Sequence, residues 1–133
     1  MRITAYLSFD GQCQQAASFY TSIFGGKIIL KKTYKDAKID IPENYLEKIQ
    51  HLEIKSKNFH LMMYDATPDT PHTSGNNMHL AVDVDSKKEL EDIFNKLSAS
   101  GTIHTPIQET SWNAMYGRCT DQYNIHWMIN YKS

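Results

Sequence analysis

Apolar and polar positions alternate along "TAYLSF", so residues 3–9 read as a first strand. The period then lengthens. In "DGQCQQAASFYTSIFGG", Cys13, Ala16, Ala17, Tyr20, Ile23 and Phe24 recur on one helical face. Gly25-Gly26 supplies the stop, since glycine enters the left-handed conformation at a helix end without a steric penalty. "KIILKKTY" returns to a strand, and "PENYLEKI" reads as a short helical turn with Pro42 at its first position. "QHLEIKS" and "FHLMMYDA" are two strands joined tightly through Lys57-Asn58. "TPDTPHTSGNN" is crowded with breakers and reads as a linker or surface loop.

The pattern then starts again. "MHLAVDV" is a strand, and "DSKKELEDIFNKLSASG" is a helix with Ser86 and Glu89 spaced as a capping box. Leu90, Ile93, Phe94 and Leu97 form its apolar stripe, with Gly101 expected at its end. "TIHTPIQET", "AMYGRCT" and "IHWMINY" are three further strands, and Pro106 marks the first as an edge or a bulge. In "NIHWMINY", Trp127, Ile129 and Tyr131 share one face of the strand. His126, Met128 and Asn130 share the other, a mixed face expected to look onto a binding cleft.

Both halves therefore run strand, helix, three strands. Residues 6–26 lie over 79–101 within a residue or two, which implies an internal duplication. The expectation is an α+β fold of two βαβββ modules: module one about 1–66, a linker about 67–76, module two about 77–133. Each helix covers one face of a four-stranded sheet, and the other face needs a partner.

Composition narrows the field. The apolar share of 41% and charged share of 22%, over 133 residues, are those of an ordinary globular domain. A formal charge of −1, from 14 basic and 15 acidic residues, leaves no electrostatic footprint for nucleic acid. No apolar run approaches the ~20 residues of a membrane span. The first residues alternate where a signal peptide would be continuously apolar, so a cytoplasmic protein is expected. Cys13 and Cys119 are too isolated for a zinc motif or a disulfide framework and read as packed thiols.

The doubled plan resembles the vicinal oxygen chelate superfamily of glyoxalases, bleomycin-resistance proteins and dioxygenases. The similarity is closest to its PhnB-like group, through "YLSFDGQCQQAASFYTSIFGG" and "TSWNAMYGRCTDQYNIHWMIN". The resemblance implies one glyoxalase-like domain over 1–133, with two curled mixed sheets and an open cleft. It also implies a homodimer, since such proteins commonly pair, and open sheet edges supply a motive. Related sequences are sometimes labelled methyltransferases acting on ubiquinone precursors. This chain has neither the glycine-rich strand-to-helix turn nor the alternating βα order of a nucleotide-binding sheet, so that activity is not adopted.

Metal-using members place ligands on the first and last strands of each module. The resemblance puts those positions at Ala5-Tyr6, at Leu61 to Met63, at His79 and at Met128. A hard divalent ion wants oxygen and nitrogen donors, and thioethers at Met62 and Met128 are poor substitutes. No metal and no cofactor are therefore expected; His51 and His126 would rescue a site only if they converged. His79 is read either as a hydrogen-bonded cleft or core histidine or as a general base or ligand contact. Tyr6 and Tyr64 offer hydroxyls, and Trp112 and Tyr116 offer aromatic walls. Arg118 offers a guanidinium for a carboxylate or phosphate, with a surface ion pair as its plain alternative. His60, His72 and His104 receive no role. Three functions stay open: a metal-free binder of a small organic ligand, with or without catalysis; a metal-dependent lyase, isomerase, transferase or dioxygenase with His79 as a ligand; and a structural role in which the open sheet faces serve self-association. Catalytic residues are not assigned.

Overall fold

A computed structural model describes residues 1–110 and 113–133 of the chain. It forms two compact units, Met1–Thr73 and Ser74–Ser133. The first runs β1 (Ala5–Phe9), α1 (Cys13–Phe24), β2 (Lys27–Thr33), a 3-10 turn (Glu43–Tyr45), β3 (Ile49–Lys55) and β4 (His60–Asp65). The second runs β5 (Leu80–Val84), α2 (Lys87–Ser98), β6 (Thr102–Glu109), β7 (Ala114–Thr120) and β8 (His126–Lys132). Strand orders are β1-β4-β3-β2 and β5-β8-β7-β6, so the duplicated βαβββ plan read from the sequence is present in both units. In each unit the first and last strands pair parallel while the remaining neighbours pair antiparallel. The sheets are open and mixed. Among the described residues no helix is long and apolar enough to cross a membrane.

In the first unit Leu7, Phe9, Leu52, Ile54, Leu61 and Met63 are buried on one sheet face. Helix α1 meets them with Cys13, Ala16, Ala17 and Tyr20, where two alanines let its backbone come close to the strands. No side chain at Gln12 caps this helix. The capping function comes instead from the far end of β4, where buried Asp65 accepts from the Cys13 N–H at 2.9 Å and the Ile49 N–H at 2.8 Å. A carboxylate at the positive end of a helix dipole, satisfied by two backbone donors, ties α1, β3 and β4 together.

The second unit repeats the layering with different chemistry. Ser86 Oγ accepts from the Glu89 N–H at 3.1 Å, as the capping-box spacing predicts. Leu90, Ile93, Phe94 and Leu97 are buried, with Trp127 and Ile129 of β8 beneath them. Gly117 is where Phe94 sits closest: a Cβ added there would lie 2.7 Å from the phenyl ring. Asp121 is the buried anion of this unit, accepting from Tyr123 N–H, Ile125 N–H and Trp127 Nε1–H at 2.8, 3.1 and 2.8 Å.

Two local expectations change. The helix stop at 25–26 holds, with both glycines at positive φ, but after α2 the left-handed residue is Ser100 (φ 62) and not Gly101. Gly101 is needed for space, since a Cβ there would collide with the Thr120 carbonyl oxygen. Pro42 precedes the 3-10 turn rather than opening it, with extended ψ of 143. Pro106 behaves as expected: β6 is an edge strand, and its register to β7 shifts between Thr105 and Gln108.

Candidate functional site

The faces turned away from the helices carry the chemistry. On β8 the alternation leaves Trp127 and Ile129 buried, while His126, Met128 and Asn130 lie on the helix-averted face. Their neighbours there are Tyr116, Arg118 and Thr120 of β7 and Ala81 and Asp83 of β5, by register. His79 precedes β5 on the same side.

Arg118 and His79 are joined: Nη2 donates to the imidazole Nε2 at 3.0 Å. That bond fixes Nε2 of His79 as an acceptor, so the proton of the neutral ring is assigned to Nδ1. Burial, then the positive guanidinium, then the His126 and His104 rings hold the His79 pKa below its ordinary value. The Nε of Arg118 is buried and has no hydrogen-bond acceptor among the described residues. Arg118 also lines a depression of about 590 Å³, together with Asp83, Tyr116, Met128, Asn130 and Tyr131. Gln108 Nε2 donates to Tyr116 Oη at 2.9 Å and holds the phenol at its border.

His126 belongs to a directed chain. The Gly75 carbonyl can only accept, so the His126 Nε2, 2.5 Å away, carries the proton. Its Nδ1 then accepts from Thr120 Oγ1 at 2.7 Å, and Thr120 accepts from His104 Nε2 at 2.6 Å. The His79 and His126 rings lie 5.3 Å apart. His104, given no role from sequence, is thus part of the second unit's polar row.

The first unit builds a different network on its helix-averted face. Tyr6 and Met62 are register partners, with Tyr64 two residues further along β4. Tyr6 Oη lies 2.6 Å from His51 Nδ1, His51 Nε2 lies 2.9 Å from Glu53 Oε2, and His60 Nε2 lies 2.5 Å from Glu53 Oε1. The two imidazoles hold the Glu53 carboxyl below the usual carboxylate range. Burial first, then Tyr64, Cys13 and Glu53, raises the Tyr6 phenol above its ordinary value. Sequence reasoning missed Glu53 and His60. The available signal was the i, i+2 spacing of His51 and Glu53, which places both on one strand face.

The metal-ligand positions implied by family likeness do not form a donor set for a divalent ion. Tyr6 stands opposite Met62 and Ala81 stands opposite Met128, so neither strand pair supplies a carboxylate. His79 Nε2 faces a guanidinium, where a cation would meet like charge. Among the described residues no group of three or more His, Cys, Asp or Glu is arranged to hold a metal ion. Trp112 lies outside the described residues. Cys13 and Cys119 are buried free thiols. Burial pushes both pKa values up, that of Cys119 to about 11, which makes neither a ready nucleophile.

Comparison with known proteins fits this architecture. The model of the family described as 3-demethylubiquinone-9 3-methyltransferase matches residues 1–130. Protein YjdN of Escherichia coli K12 is 29% identical over 98% of this chain and 95% of its own. The crystal structure of PA1353 from Pseudomonas aeruginosa superposes with a TM-score of 0.89 at 31% identity, covering 99% of this chain and 98% of that one. A PhnB protein from Bacillus cereus gives 0.83 at 24% identity, over 98% and 99%. A glyoxalase/bleomycin resistance/dioxygenase family enzyme from Burkholderia phytofirmans, at 17% identity and a TM-score of 0.66, covers 97% and 98% and shares the fold. With nearly its whole length matched by that model, the chain belongs to the PhnB-like 3-demethylubiquinone-9 3-methyltransferase family, built on the glyoxalase/bleomycin resistance/dioxygenase fold.

Proposed function

We propose that the chain binds a small organic ligand bearing a carboxylate or similar oxyanion on the helix-averted face of the 74–133 unit, without the divalent metal of metal-using relatives. The observation that carries this reading is Arg118. Its Nη2 is committed to His79, while its buried Nε–H lacks an acceptor beside a depression of about 590 Å³. An unpaired buried donor costs ~1–3 kcal/mol, which an incoming oxyanion would offset through the guanidinium fork. Met128, Tyr116 and Tyr131 offer the apolar and aromatic surface for the ligand's body, and Asn130 an amide to orient it. The activity named in the family description forms no part of this proposal.

The experiment is calorimetric titration of the purified chain with benzoate and alkyl-substituted benzoates, in chelator. Binding in chelator that disappears in Arg118→Met supports the reading. Binding that needs added zinc, manganese or ferrous iron, and that His79→Ala removes, favours instead a metal-dependent enzyme of the glyoxalase type.

We also infer that the chain forms a homodimer. β2 is an edge strand whose Ile28, Ile29 and Leu30 are exposed, an apolar edge that a second copy would cover. Light scattering at micromolar concentration tests this, and a monomer contradicts it.

A further inference from the structure

The first unit carries titratable groups that the ligand site on the second does not use. Glu53 is the pivot. An ionised carboxylate only accepts, so His51 and His60 each present an Nε2–H to it, one to each oxygen. In neutral His51 the lone pair is therefore on Nδ1, and the Tyr6 hydroxyl donates to it at 2.6 Å. A hydroxyl against an imidazole whose other nitrogen is oriented by a carboxylate is the arrangement that lets a weak base take a proton. The network has one open end. Tyr6 is 46% exposed, whereas the side chains of His51, Glu53 and His60 are 23, 19 and 20% exposed.

We propose that Tyr6, His51 and Glu53 form a proton-accepting site for a small molecule with a weakly acidic hydroxyl. The ligand's O–H bond breaks and its proton passes to Tyr6 Oη, while the Tyr6 proton passes to His51 Nδ1. The ligand keeps the electron pair as an oxyanion, held by the renewed Tyr6 O–H. The imidazolium formed stands against the Glu53 carboxylate, which His60 holds from its other oxygen. Tyr6 is the residue that touches the ligand, and His51 and Glu53 act through it. Other titratable groups around the hydrogen-bonded chain include Tyr64, whose ring is 5.1 Å from that of Tyr6, Tyr34, Cys13 on α1, and Lys32 and Lys55, paired in register with His51 and His60. The raised Tyr6 pKa keeps the phenol protonated at rest.

The test uses 4-nitrophenol, whose phenolate absorbs visibly, titrated with the whole chain at a pH where the free probe is mostly protonated. The titration is run in the Arg118→Met background, so that the second unit's guanidinium cannot hold phenolate. Absorbance is expected to rise with protein and to fall roughly tenfold when Tyr6→Phe or Glu53→Gln is added. In Glu53→Gln the pH at which bound probe ionises moves upward, a displacement that a merely structural role would not produce. Circular dichroism and the melting temperature check that each variant is folded, and Tyr6→Phe keeps the ring packed against Tyr64. No rise above the protein-free control overturns the proposal. So does a rise that survives both first-unit substitutions.

Discussion

Arg118 and His79 share a hydrogen bond of 3.0 Å in which the guanidinium is the donor and the imidazole the acceptor. The pairing sets the polarity of the second unit's open face, because it makes His79 a neutral support for a fixed positive charge. Arg118→Met keeps much of the side chain's length and removes the fork. We expect at least ~10-fold weaker binding of carboxylate ligands, in line with ~1.5–3 kcal/mol for a hydrogen bond to a charged group. The melting temperature should hardly fall, since the unpaired Nε–H leaves with the charge. Calorimetry and thermal melts read the two effects separately.

Glu53 gives the pH dependence its sign. The carboxyl is held below its ordinary value by hydrogen bonds from His51 and His60. The folded state therefore releases that proton more readily than the unfolded chain. The stability so gained is fully present above the ordinary carboxylate value and disappears as pH falls through the lowered folded value. Melting temperatures measured across this acid window should drop in the native chain. They should drop less in Glu53→Gln, which has no proton to take up there.

Asp65 is the anchor of the first unit, with two backbone N–H groups on its carboxylate. In Asp65→Asn one of these donors meets an amide N–H instead of an oxygen, and the dipole of α1 loses its counter-charge. A loss of ~1–3 kcal/mol is expected from urea denaturation followed by circular dichroism.

Gly117 tests the second core. An alanine methyl would press on the Phe94 ring from 2.7 Å, so Gly117→Ala should cost ~1–3 kcal/mol through overpacking. Combining it with Phe94→Leu should recover part of that loss. A cycle of the two substitutions that proves strictly additive would show that the contact is not the cause.

Much of this fold is legible in order along the chain, because periodicity reports burial. The alternation at 126–131 correctly separates Trp127 and Ile129 from His126 and Met128, and the Ser86/Glu89 spacing marks the start of α2. The cap of α1 is not legible. Its acceptor, Asp65, lies 52 residues from Cys13, and only the tertiary fold brings them together. Ser100 in place of Gly101 is missed for a related reason: glycine was required by the Thr120 carbonyl across the sheet, a contact with no local signature. The site divides in the same way. Arg118 and His79 stand out as residue types, but their bond joins positions 39 apart. Tyr6, His51 and His60 converge on Glu53 only when β1, β3 and β4 lie side by side.

Calorimetric titration of the native chain and of Arg118→Met with substituted benzoates in chelator tests the central claim most directly. The account predicts saturable binding by the native chain with no added metal and none by the variant over the same range. Equal binding by both, or binding by neither until a divalent metal is supplied, would contradict it.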